Sequence, residues 1–527
     1  MLPFFSRARL GRCLAVTAIV PALVLSTGGV AVAATHTLTL TVLNRSGAKV
    51  SVAATVVSLS SGSRYTARSN KKKKLPKGSY AVLTSIATGN TTTLGGRTVK
   101  VSGSAKLTVD ARQGRRVNLA VSPAPAGLSR NLSARVCAKT SGASYDVEAY
   151  GDDLYAIPTT SKKIAFAALG TWSDSSGLAD AYAVVHQTTG VSKTPRRTVK
   201  RSSLGTVSVV SRFGPEGSNY TDVAVQPIKR GCADDMYSGL WTAEQPTRVN
   251  LRLSTGSWDI RSSTSATTKT GETWNIGSYF AERKIAAGKT YAVRFYNAAW
   301  GPSTQLPATL YGRVSFRMNE MFTDPYFTRN DTGSEGGDKA TATLVYKGRT
   351  VKTKKDRGWE PDMTVLDYKV KKAGWYTLTN TATRYYPEIR YPAGMLSTKS
   401  VVSYRFHTKP NSNALAEVNS VTMIPAGLNN WNKAKGGSTT NVALKLNRYS
   451  QDSDAKRGKN PKFKSLGVKM SADGGKTWRT VKVKKVKGVW TAVVPNPASG
   501  AVSLRARATY KSGGFTDVTI YRAYGIA

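Results

Sequence analysis

Apolar and polar residues alternate one by one along much of this chain, and a period of two dictates extended strands. In Thr37-Leu38-Thr39-Leu40-Thr41-Val42 the two leucines and the valine fall on one face and the threonines on the other. That is a strand with one dry and one wet face. Near the other end, Val502, Leu504, Ala506 and Ala508 alternate with Ser503, Arg505, Arg507 and Thr509. Gly, Ser, Asn and Pro interrupt such runs at short intervals, and no long amphipathic helix is legible. The expected fold is all-β, with several β-sandwich modules (immunoglobulin-like or jelly-roll-like) in tandem.

A chain of 527 residues with 40% hydrophobic content and ten tryptophans can bury several cores. Pro123-Ala124-Pro125-Ala126-Gly127 reads as a linker that closes a first module over 34–122. A second module over 128–247 holds two cysteines. A third, richer in aromatics, runs over 248–425, and a basic C-terminal module over 436–527.

Residues 1–33 read as an export signal. Arg7, Arg9 and Arg12 make a positive start, Leu14 to Leu25 is apolar apart from Thr17 and Pro21, and Ala31-Val32-Ala33 supplies small residues for cleavage after Ala33. The apolar run falls short of the ~20 residues that span a bilayer. The absence of a paired-arginine motif favours the Sec route. No later segment is apolar enough to cross a membrane, so the expected address is extracellular, with association to a cell wall. Cys137 and Cys232 remain after processing. In an oxidising compartment they are expected to form one disulfide; two buried free thiols are the alternative.

Lys74–Tyr80, Leu107–Arg112, Tyr296–Pro302, Phe322–Pro325 and Ser471–Trp478, in this order along the chain, resemble the non-catalytic accessory region of secreted actinobacterial subtilisin-like peptidases. Lys74-Leu75-Pro76-Lys77-Gly78-Ser79-Tyr80, then Leu107-Thr108-Val109-Asp110-Ala111-Arg112, resemble its carboxypeptidase-regulatory-like β-sandwich. Tyr296-Asn297-Ala298-Ala299-Trp300-Gly301-Pro302 and Phe322-Thr323-Asp324-Pro325 resemble the region downstream. Ser471-Ala472-Asp473-Gly474-Gly475-Lys476-Thr477-Trp478 with Val502–Ala508 resembles its end. The resemblance implies an accessory or partner of secreted peptidases and does not carry over the protease. Subtilisin chemistry needs a serine, a histidine base and an orienting aspartate. His36, His186 and His407 lack the family's histidine setting, and no serine sits in its nucleophile setting.

Other chemistry is weighed residue by residue. Asp331-Thr332-Gly333 lies in a Gly-rich polar stretch and reads as a surface turn; Asp331, Glu335 and Asp338 are the candidate oxygen ligands for calcium, though their spacing fits no EF-hand. Asp473, Gly474 and Trp478 fit an Asp-box hairpin, a structural turn with the indole packed beneath it. Asp146, Glu148, Asp152 and Asp153 form the main acidic cluster and are expected to pair with Lys or Arg instead of acting as a glycosidase pair. The histidines lie far apart and show no metal-ligand spacing. No enzyme activity, metal or cofactor is expected.

Charge carries the functional reading. There are 77 Lys+Arg against 30 Asp+Glu, a formal net charge of +47, of which the three arginines of the export signal are a small part. Twelve Lys or Arg lie between Gln451 and Trp490 against Asp452, Asp454 and Asp473. Lys71, Lys72, Lys73 and Lys74 make a second cluster, and Arg196, Arg197, Lys200 and Arg201 a third. Lysines protect sheet edges from aggregation. A surplus this large, repelling itself on one body, also points to a polyanionic neighbour. The expected partner is an anionic wall polymer or polysaccharide, with Lys482, Lys484, Lys485 and Lys487 as leading contacts. No signature of sequence-specific nucleic-acid reading is present.

Overall fold

The computed structural model describes residues 35–140, 144–174, 180–214, 220–229, 231–327, 338–358, 364–385, 389, 391–449, 455–458 and 460–527. The export signal and two of the calcium candidates, Asp331 and Glu335, lie outside the described residues.

The protein is all-β. Among the described residues the only helical elements are three short 3-10 turns, at Ala111–Gln113, Arg201–Ser203 and Gly231–Ala233. The alternation in Thr35–Leu43 does what its period requires: Leu38, Leu40 and Val42 are fully buried. This strand lies between Lys72–Pro76 and Ala105–Asp110 in a three-stranded sheet. It packs on a six-stranded sheet through Val56, Tyr80, Val82 and Ile86. Truncating Leu40 to alanine in such a core costs about 2–5 kcal/mol.

A seven-stranded sheet follows, with Ile164–Ser173 as an interior strand whose every residue is buried except Ser173. A run buried on both faces is apolar without alternation, which is why it escapes a period-two reading. Ser129–Lys139 carries Cys137, and the Gly231–Ala233 turn carries Cys232. Their Cα atoms are 5.7 Å apart and the disulfide is formed, so the free-thiol alternative does not hold.

The C-terminal half is organised by a twelve-stranded sheet. Its central run places Asp338–Tyr346, Gly374–Arg384, Lys399–Thr408, Phe515–Ile526, Ala501–Tyr510 and Phe463–Ser471 side by side. Arg349–Asp356 and Ser420–Pro425 stand at its two ends.

The sheets do not stop at the boundaries expected from sequence. Leu154–Ala156 adds to Thr91–Val101, and Arg196–Lys200 pairs with Asn118–Ser122, across the Pro123–Gly127 linker. Gly256–Thr267 pairs with Tyr220–Pro227, and Thr290–Phe295 with Gly205–Ser211, across position 247. Phe515–Ile526 pairs with Lys399–Thr408, and Thr439–Asn447 with Ser420–Pro425, so the third and fourth expected modules share one sheet. One core cluster accordingly runs from Cys137 to Ile526. The physical reason is that turn residues mark where the chain reverses. They carry no information about which distant strand satisfies an open row of N–H and C=O groups.

Candidate functional site

The lysine-bearing strands are where the charge reaches solvent. Lys72–Pro76 is the outer strand of its sheet: Leu75 is buried, whereas Lys71, Lys72 and Lys74 are exposed and Lys73 is partly covered. In Arg479–Val486, Val481 is buried while Lys482 and Lys484 are exposed on the opposite face. Lys485 differs from that pair. It belongs to the other face, and its Nζ sits 5.0 Å from the centre of the Trp490 ring. Lys487 and Gly488 form the two-residue turn into Val489–Pro495, both at positive φ as a type I′ hairpin requires. In the third cluster, Arg201 donates to the carbonyls of Pro123 and Ala124 and lies over Tyr182, so part of that cluster is a structural tie.

The Asp-box stretch folds as a closed turn. The Asp473 carboxylate accepts from the Thr477 backbone N–H at 2.9 Å, from the Thr477 hydroxyl, and from the Ser471 hydroxyl at 2.7 Å. The Thr477 hydroxyl is the leading cause that holds this carboxylate well below the usual range. Trp478 donates its indole N–H to the Gly475 carbonyl and meets Tyr521 edge-on.

The acidic cluster is spent on arginines. Glu148 pairs with Arg135 at 2.6 Å and Asp146 reaches the same guanidinium at 3.4 Å. Asp152 pairs with Arg130 and Asp153 with Arg116. The histidines lie in different sheets: His36 on Thr35–Leu43, His186 on Ala181–Thr189 and His407 on Lys399–Thr408. Burial, then the charge of Arg197, lowers the His186 pKa. Among the described residues no three His, Cys, Asp or Glu side chains converge as a metal-ligand set. Of the calcium candidates, Asp338 is described and buried. Its described charged neighbours are Asp356 and Arg384, the latter opposite it on the next strand.

Sequence reading missed a buried polar knot. Asp324, fully buried, accepts from the Asn297 backbone N–H at 2.7 Å and from its side-chain amide. Asn432 accepts from the Ala298 N–H and the Arg212 guanidinium, and donates to the carbonyls of Phe213 and Tyr296. The stretches Tyr296–Pro302 and Phe322–Pro325 are thus brought together, with Gly301 bridged to Thr323. Polarity of Asn and Asp signals a loop in sequence; only folding shows that these side chains replace backbone partners in the interior. A cleft of about 510 Å³ lies beside Asn447, Arg448 and Arg457. The Arg448 guanidinium there is committed to the carbonyls of Ala416, Val418 and Arg457.

No protein-family model and no curated protein matches the chain. Solved structures give distant likenesses. A streptococcal ancillary pilin is 10% identical, with a TM-score of 0.13, covering 50% of this chain and 98% of its own. The FN1–FN3 domains of chicken CNTN1 are 9% identical, with a TM-score of 0.13, covering 67% of this chain and 94% of their own. Escherichia coli α2-macroglobulin activated by porcine elastase is 8% identical, with a TM-score of 0.14, covering 93% of this chain and 53% of its own.

Proposed function

We propose that this chain is an exported, non-catalytic binding protein, held on anionic polymers of a cell envelope or extracellular matrix by its cationic surface. The observation that carries the reading is the placement of the lysine clusters. Lys72 and Lys74 lie on an outer strand with Lys71 just before it, and Lys482, Lys484 and Lys487 lie on a hairpin, all exposed. The carboxylates of the acidic cluster are meanwhile engaged by arginines. Exposed lysine heads in water attract a polyanion by releasing its counterions, a force that weakens steeply with salt. The disulfide supports an oxidising destination. Dispersal of the histidines over separate sheets, and of the acidic cluster into ion pairs, supports binding without turnover.

The test is retention of the processed protein on purified wall polymers in rising NaCl. Release at moderate salt is expected. Retention that ignores salt would rule the reading out.

A further inference from the structure

The twelve-stranded sheet has an outward face that the lysine clusters do not explain. On Gly374–Arg384, Leu378, Asn380 and Ala382 are buried, so Thr377, Thr379, Thr381 and Thr383 face the other way. Thr341 and Thr343 stand beside Thr381 and Thr379. Register carries the same face across Lys399, Ser403 and Arg405, then Tyr521, Asp517 and Phe515, then Arg505 and Arg507, and on to Lys469. The result is a field of hydroxyls set with cations.

With Lys339, which stands beside Thr383, four cations of this face lie over aromatic rings. Lys339 lies 3.5 Å from the centre of Tyr385, Lys399 5.2 Å from Tyr521, Arg405 5.0 Å from Trp375 and Arg507 4.0 Å from Phe515. Asp517, the acid among them, is covered by Arg505 at 2.8 Å and Arg507 at 3.3 Å. Edge protection does not account for this array, because Gly374–Arg384, Lys399–Thr408, Phe515–Ile526 and Ala501–Tyr510 are all interior strands, paired on both sides. Cations seated on rings have already given up part of the rotamer freedom that a free lysine would surrender on binding. Preorganised charge of this kind raises affinity by lowering the ordering cost.

Resting on the polyanion reading above, we propose that this face is the platform for one class of polymer, a linear acidic polysaccharide. Lys399 and Arg405 are six residues apart on one strand, about 20 Å at the usual rise. Asp338–Tyr346 and Ala501–Tyr510 lie four strand spacings apart, again about 19 Å. A sugar chain laid on this surface meets cations at its carboxylates and threonine hydroxyls at its own hydroxyls, while threonine methyls and Val401 lie under its C–H faces. A polyphosphate chain uses the cations and can accept from the hydroxyls, but it brings no hydroxyl donors of its own and no C–H faces for the threonine methyls and Val401.

The experiment compares the full processed chain with two variants. One is Lys399→Ala/Arg405→Ala/Arg507→Ala on the face, and the other is the remote pair Lys100→Ala/Lys106→Ala, two exposed lysines of the N-terminal sheets that belong to none of the basic clusters. The probes are hyaluronan, neutral dextran and polyphosphate at low salt. The face variant is expected to lose tenfold or more in hyaluronan affinity, about 1.4 kcal/mol per tenfold. Its polyphosphate affinity should fall by less, and the remote variant should leave hyaluronan binding close to wild type. Arg405→Lys/Arg507→Lys, which keeps the charge but not the planar stacking group, should retain more of the affinity than the alanine variant and separates lost charge from lost fold. Wild-type hyaluronan affinity in the face variant overturns the proposal, as does equal binding of dextran, or an equal loss for polyphosphate. If wild type binds polyphosphate in a salt-dependent way and the face variant changes nothing, the platform falls and the broader polyanion reading stands. If wild type binds neither polyanion, both fall.

Discussion

Arg505 and Asp517 meet across neighbouring strands in a two-point clasp, Nε to Oδ1 at 2.9 Å and Nη2 to Oδ2 at 2.8 Å. The carboxylate is nearly buried and also takes Arg507. Asp517 therefore holds two guanidinium groups in place on a surface with a large positive excess. Asp517→Asn breaks the charge match while keeping the shape. Its expected cost is about 1.5–3 kcal/mol, the range for hydrogen bonds to charged groups, read as a shift in the urea midpoint. An unchanged midpoint would mean that the clasp adds nothing to stability.

Gly475 defines the Asp-box turn from below. Its φ is +93°, and a Cβ there would lie 2.5 Å from Cε1 of Tyr521. Gly475→Ala is strained both by its backbone and by the ring. The expected destabilisation is roughly 1–3 kcal/mol, measurable by thermal unfolding with Gly474→Ala as a comparison. At Gly474 φ is also positive but no neighbour lies within 4 Å, so the smaller effect is expected there.

Asp338 sets a pH dependence of unusual sign. Burial first, then the nearby Asp356, raises its pKa from 3.8 to about 7, against the pull of Arg384. Between those two values the folded state keeps a proton that the unfolded chain has released. Its stabilising contribution is therefore fully present below about pH 4 and is lost as pH rises through 7. The slope inside that window is at most about 1.4 kcal/mol per pH unit. Asp338→Asn should flatten the dependence of the melting temperature on pH between about 5 and 7.5. Asp324, also raised to about 7 by burial, contributes in the same direction and keeps the flattening partial.

The disulfide closes a loop with a sequence separation of 95 residues. Loop-closure entropy for that length is worth about 4–5 kcal/mol in the chain-entropy model. A Cys137→Ser/Cys232→Ser chain should lose close to that amount in denaturant unfolding. Reduction of the wild type should reproduce the loss. A difference under about 1 kcal/mol would place the stabilisation elsewhere, in the surrounding core.

Local alternation was legible wherever one face of a strand is wet, as at Leu38, Leu40 and Val42 or at Leu504, Ala506 and Ala508. It was silent at Ile164–Ser173, where both faces are dry. Partnership was not legible at all: nothing in Lys399–Thr408 names Phe515–Ile526 as its neighbour, since backbone pairing is indifferent to distance along the chain. The same limit governed the site. Lysine clusters are visible as runs, so Lys71–Lys74 and Lys482–Lys487 stood out. Lys399, Arg405 and Arg507 are scattered in sequence and become one array only when register aligns their strands. The buried carboxyl of Asp324 was equally hidden, because nothing in Phe322-Thr323-Asp324-Pro325 shows that Asn297 will fold against it.

The central claim is that fixed cations on a β scaffold hold an acidic polymer. It is tested most directly by the affinity of the processed protein for a purified acidic wall polysaccharide, measured at about 50 and about 200 mM NaCl, a range over which multi-contact polyelectrolyte binding weakens by orders of magnitude. A steep fall along that series, with log affinity linear in log salt, is the predicted result. An affinity that stays constant between the two salts, or binding of the neutral polymer with equal strength, would contradict it.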